Sequence, residues 1–147
     1  MYYITKEKGV NTMRYEDDEV RDRCENNGQT RRCNGNENEQ NHVHEFVGST
    51  RVVDYDDGEE HNHRFAGVTG EAIQCRGSHV HKIVIRTDNY NSHYHVIDVV
   101  TGPAIPVGNG LRHVHYVFAC TTDREGHKHS FRVATLIENP IGDSEYC

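Results

Sequence analysis

Neutral imidazole is a good ligand for first-row transition metals, and this chain spaces its imidazoles in only one way. All 12 histidines fall in six His-x-His pairs, each followed two residues later by an apolar residue. The pentads are HVHEF at 42–46, HNHRF at 61–65, HVHKI at 79–83, HYHVI at 93–97, HVHYV at 113–117 and HKHSF at 127–131. In a strand, residues i, i+2 and i+4 share a face. His42, His44 and Phe46 therefore point together. So do His61/His63/Phe65, His79/His81/Ile83, His93/His95/Ile97, His113/His115/Val117 and His127/His129/Phe131. The apolar third member turns that face inward.

A buried imidazole has one donor and one acceptor to satisfy, so 12 on an apolar face call for an organised partner. A metal ion supplies one. Two histidines at i and i+2 can chelate from one side, and a facing pair completes a four-nitrogen site. All 12 are candidate ligands of a transition metal ion, Zn, Cu, Ni or Fe. Within each hairpin the two pairs are expected to meet: His42/His44 with His61/His63, His79/His81 with His93/His95, and His113/His115 with His127/His129. Alternatively, the three first strands pool their ligands about a pseudo-threefold axis. The competing reading is a histidine hydrogen-bond ladder without an ion. Glu45, Glu71 and Glu138 could serve as partners to ring N–H groups, but read better as solvated charges.

Other chemistry has less support, and no catalytic residue is assigned. A cupin-type site would place a glutamate shortly after a pair, yet Gly48, Gly67, Ile85, Val99, Ala119 and Val133 stand there. No H-E-x-x-H, G-x-S-x-G or P-loop motif occurs. Five cysteines, Cys24, Cys33, Cys75, Cys120 and Cys147, form no C-x-x-C. They are candidates for disulfides or for links between chains, since an odd count leaves one thiol free or paired intermolecularly. Cys75, close to a histidine pair, reads best as a small buried residue.

The elements that must position these residues are strands. The pentads sit in Val-, Ile-, Tyr-, Phe- and Thr-rich runs such as HKIVIRT and HVHYVFACTT, separated by turn material such as TDNYNS and TDREG. The HVH pairs at 42, 79 and 113 alternate with the pairs at 61, 93 and 127, which marks an internal repeat. HNHRFAGVTGEAI (61–73) aligns without gaps to HYHVIDVVTGPAI (93–105), matching Thr69/Thr101, Gly70/Gly102, Ala72/Ala104 and Ile73/Ile105. The third unit keeps Thr135 and then diverges. The expected fold is all-β: three hairpin repeats with six main strands in a compact β-sandwich or barrel-like domain at 42–147, with short extra strands near GEAI and GPAIPVG. Val43, Val80 and Val114 on the opposite face suggest first strands buried on both sides. Asn62, Tyr94 and Lys128 suggest second strands exposed on one. Residues 1–41 are charged, Asn-rich and aperiodic, and read as a polar, cysteine-containing N-terminal arm.

Apolar residues make up 34% of the chain and tryptophan is absent, so an aliphatic and aromatic core would be thin without metal, disulfides or partner subunits. A net charge of −7 with no basic stripe argues against nucleic-acid binding. No apolar run approaches the roughly 20 residues of a membrane span, and MYYITKEKGVNTM lacks the apolar core of a secretory signal.

The stretches HVHEFVGST, HNHRFAGVTGEAI, GSHVHKI, TGPAIPVGNG and GHKHSF…ATLIENPIG resemble the YmaF-type family of small histidine-rich bacterial proteins over residues 42–143. The resemblance implies a bacterial origin and the histidine-rich repeat. The leading expectation is a non-catalytic, metal-binding β-repeat protein that self-associates. Its N-terminal arm would add to a neighbouring subunit, building an extracellular or surface filament. Rival readings are a metalloenzyme with multi-histidine sites and a soluble metal buffer or sensor. An extracellular, cell-surface or spore-surface location is favoured if disulfides form, and a cytoplasmic one otherwise.

Overall fold

The computed structural model describes Cys33, residues 42–53 and residues 60–141. Among the described residues there is no helix. Nine strands follow one another: β1 (Glu45–Ser49), β2 (Arg64–Val68), β3 (Ala72–Cys75), β4 (Ser78–Arg86), β5 (Val96–Val100), β6 (Ile105–Val107), β7 (Arg112–Val114), β8 (Tyr116–Cys120) and β9 (Ser130–Ala134). They form four small antiparallel sheets, β1–β2, β3–β4–β5, β6–β7 and β8–β9. The all-β expectation and the short strands at GEAI and GPAIPVG are met. Among the described residues no sheet closes as a barrel. Apart from Cys33, the N-terminal arm lies outside the described residues, as do Cys24 and Cys147.

Three of the pairings, β1–β2, β4–β5 and β8–β9, each run for five residue pairs. Their inward residues alternate as the sequence requires: Phe46, Phe65, Ile83, Ile97, Val117 and Phe131 are all buried and form one cluster with Val99, Ala119 and Val133. Register matches large residues to small ones. Phe46 lies opposite Gly67, Gly48 opposite Phe65, and Ala119 opposite Phe131. A Cβ on Gly48 would stand 2.6 Å from the Phe65 ring, so the space a side chain would fill is taken by the phenylalanine. Of the outward residues after each first histidine, Val80 is buried, Val43, Val114, Asn62 and Tyr94 are half-buried, and Lys128 is exposed.

The pairings are joined to one another by two recurring backbone bonds. Asp88 N–H donates to Arg64 O (2.9 Å), Thr122 N–H to Val96 O (2.8 Å) and Arg51 N–H to Ser130 O (2.8 Å). At the other end Gly70 N–H donates to Lys82 O (2.8 Å), Gly102 N–H to Tyr116 O (2.9 Å) and Leu136 N–H to Glu45 O (2.8 Å). The last hairpin is thereby bonded to the first. Tight two-residue turns set where the later histidine pairs begin. Asn91 and Ser92 (φ 41° and 67°) are bracketed by the Tyr90–His93 bridge, and Glu125 and Gly126 (φ 53° and 80°) by Arg124–His127. Positive φ at both central residues is the turn that suits a twisted hairpin.

Candidate metal centres

Antiparallel pairing sends the two histidine pairs of a hairpin to opposite ends. His44 faces Thr69 across the pairing and His63 faces Thr50, as the bonds Thr69 N–H to His44 O and Thr50 N–H to His63 O show (2.9 Å each). The length of strand between them spans about 20 Å. The expected meeting of pairs within one hairpin is therefore overturned. Instead, each end of the molecule gathers one pair from every hairpin, the pooled arrangement about a pseudo-threefold axis that the sequence left as the alternative.

The first centre is His42, His44, His79, His81, His113 and His115, with one ligand nitrogen from each lying within 4.8 Å of the others. The Nε2 atoms of His42, His79 and His113 form a triangle with edges of 3.1, 3.0 and 2.9 Å. His44 Nε2 lies 3.1 Å from His113 Nε2 and His115 Nε2 lies 3.2 Å from His79 Nε2. The second centre gathers His61, His63, His93, His127 and His129. His95 belongs to it as well, with Nε2 3.2 Å from His127 Nε2. There His61 Nε2 lies 3.1 Å from His127 Nε2 and 3.2 Å from His93 and His129 Nε2. All 12 histidines anticipated from the sequence are thus placed, six at each end. The aliphatic and aromatic cluster lies between.

In both centres the ring orientation is fixed from outside. The second histidine of each pair, which is almost fully buried, presents Nδ1 to a backbone carbonyl. His44 Nδ1 lies 2.7 Å from Leu136 O, His81 2.8 Å from Gly70 O and His115 2.9 Å from Gly102 O. His63 lies 3.0 Å from Asp88 O, His95 2.9 Å from Thr122 O and His129 3.0 Å from Arg51 O. A carbonyl only accepts, so each Nδ1 carries the proton and each Nε2 directs a lone pair at its centre.

Six buried threonines complete this frame. Thr69, Thr101 and Thr135 accept the backbone N–H of His44, His81 and His115 (3.0, 3.0 and 2.9 Å). Thr50, Thr87 and Thr121 do the same for His63, His95 and His129 (2.9, 3.0 and 3.0 Å). Thr69 and Thr101 also donate to the Gly70 and Gly102 carbonyls (2.9 Å each), which receive His81 and His115 Nδ1–H. The backbone of one ligand is thereby tied to the ring of the next around the axis. The repeat alignment used only Thr69, Thr101 and Thr135. The signal for the others was present, since a threonine stands six residues beyond the second histidine of every pair.

Burial is the leading cause of the electrostatics: it lowers the His81 pKa from 6.5 to about 3, and those of His42, His115 and His129 to about 4. His44, His79, His93 and His95 are lowered for the same first reason, reinforced by neighbouring histidines. Burial thus favours the neutral form of these eight rings, the state that ligates metal. His81 Nε2 is buried and, among the described residues, has no hydrogen-bond partner. Six convergent nitrogens, one without a protein partner, fit a bound cation.

The carboxylates divide. Glu45 and Glu71 are exposed, as read. Glu138 is not a solvated charge: its Oε2 accepts His113 N–H at 3.2 Å and lies 3.4 Å from His113 Nδ1, with Arg112 3.5 Å from Oε1. The carboxyl is held below its ordinary range. Cys75 is not simply a small buried residue: it is half-buried and disulfide-bonded to Cys33 of the same chain. Cys120 is also disulfide-bonded.

A family model described as YmaF, spore germination protein GerY/YamF, matches residues 39–137. The chain belongs to the YmaF family. The matched stretch holds every histidine of both centres and all six of the threonines that brace them. Neither a curated protein nor a solved structure matches the chain. Among the described residues no helix is long and apolar enough to cross a membrane.

Proposed function

We propose that this YmaF-family chain is a non-catalytic metal-binding protein, in which two six-imidazole centres staple three hairpin repeats together at their ends. The observation that supports this reading is the convergence of six Nε2 atoms in each centre, three of them on rings whose tautomer is fixed from behind. A ladder without an ion explains it less well. In the first centre the Nε2 atoms of His42, His79 and His113 stand within 3.1 Å of one another. Each neutral Nε2 carries either a proton or a lone pair, so at least one of the three contacts must set donor against donor or lone pair against lone pair. A central cation makes each contact favourable. A metalloenzyme keeps a coordination position open for substrate, and six ligands to one ion leave none.

Self-association into a homopolymer is the second part of the proposal. The outward Val47, Val68 and Val84 are more than half exposed, and small sheets that do not close leave edges for another chain. The disulfides favour an oxidising, extracellular or surface location. The family's description as a spore germination protein favours the spore.

Metal content of protein purified without an affinity column tests the first part: two ions per chain are expected, with a melting temperature that falls in chelator. Metal-free protein with a melt indifferent to chelator and to added metal would reject it. Sedimentation of the full chain over a range of concentrations tests the second. A monomer throughout would reject self-association and leave the centres untouched.

A further inference from the structure

Resting on the metal reading above, we infer that the two centres select divalent ions that take six equal nitrogen donors, the class of Ni(II), Co(II) and Fe(II), over Zn(II) and Cu(II). The argument is metric. Nitrogens of a tetrahedral zinc site with Zn–N of about 2.0–2.1 Å stand about 3.3–3.4 Å apart. The Nε2–Nε2 edges here are shorter, 2.9–3.1 Å around the His42, His79 and His113 triangle and 3.1–3.2 Å in the second centre. Dividing an octahedral edge by √2 places the centre about 2.1–2.3 Å from each nitrogen, a six-coordinate metal–imidazole distance. Four donors with these edges would lie only about 1.8–2.0 Å from their centre, at or below the short end of the zinc range.

Ring attitudes agree with the octahedral count. Neighbouring imidazoles of the first centre stand at interplanar angles of 73–89° around His113, with centroids 4.7–5.3 Å apart. Half of the donors cannot rearrange cheaply. Three Nδ1–H groups in each centre are anchored on backbone carbonyls, and the threonine frame holds the strands that carry them. A six-donor array with three donors fixed on one face penalises Cu(II), which prefers a tetragonal site, and offers Zn(II) no advantage over the four ligands it usually takes. Every donor is an imidazole and no carboxylate joins either set, which favours a dication over a trication.

The test is competition. Full-length chain purified without an affinity column is incubated with equal concentrations of Ni(II), Zn(II) and Cu(II) in excess, freed of loose metal, and read by native mass spectrometry and X-ray absorption. The expected result is two Ni(II) per chain, retained about tenfold or more over either rival, each with six nitrogen neighbours at about 2.1–2.2 Å. Preference for Zn(II) or Cu(II), or Ni(II) with four neighbours, would overturn the selectivity while leaving metal binding intact. Retention of no ion would overturn the metal reading itself, and this inference with it.

Discussion

Acidification of the metal-free protein should unfold it over a narrow and calculable range. Burial holds the pKa of His81 at about 3 and those of His115 and His129 at about 4, against 6.5 for an exposed histidine. Below pH 6.5 the unfolded chain takes up protons that the folded chain refuses. The unfolded state then binds more protons, and stability falls as pH falls until the folded values are reached. Each such histidine removes about 1.4 kcal/mol per pH unit once the pH is well below 6.5. The three together remove about 4 kcal/mol per unit between about pH 5.5 and 4. Total stabilities of domains are about 5–15 kcal/mol, so one or two units suffice to unfold it. Urea unfolding in excess chelator, followed by circular dichroism in half-unit steps from pH 7.5 to 4.5, measures this. The midpoint should be level above about pH 7 and drop steeply below about pH 6. A midpoint unchanged between pH 7 and 5 would show that these imidazoles are not held neutral by the fold, and the reasoning fails. Added metal competes with protons for the same nitrogens, so it should move the transition to lower pH.

Three further outcomes are expected. His129→Ala should lower the metal content from two ions to one, because His129 serves only the second centre; loss of both ions with the fold intact by circular dichroism would show that the centres are not separate. Thr101→Val strands the His81 N–H, and should cost about 1–3 kcal/mol in urea unfolding and weaken metal at the first centre about 10–100-fold in a chelator competition. Gly48→Ala drives a methyl group into the Phe65 ring and should cost about 1–3 kcal/mol, partly restored by Phe65→Leu; an unchanged melting temperature would mean that the hairpin opens without penalty.

The histidine spacing alone was enough to place the ligands on one inward face, and the apolar third residues marked the core correctly from Phe46 to Phe131. What spacing could not supply was register. A pair such as His79/His81 reads the same whether its strand runs toward or away from His93/His95, and only the antiparallel pairing of Lys82 with Val100 separates the two pairs. Glu138 was misread for a related reason. Nothing local distinguishes it from Glu45, and its burial depends on a chain reversal that brings it against Arg112 and His113. The threonines were legible and partly overlooked, because comparison of whole units favours the longest alignment, whereas the shared feature is a single residue at a fixed offset from each pair.

The bonds that return the third hairpin to the first have a consequence for synthesis. Arg51 waits for Ser130, and Glu45 waits for Leu136. A chain emerging from the ribosome has four of the six ligands of the first centre once residue 81 is out, but completes it only with His115, and the second only with His129. Contacts spanning so much sequence form late and slowly. A chain that stops before His115 can therefore assemble neither full ligand set, and one that stops before His129 lacks the second. Possession of both would certify that synthesis has passed residue 129.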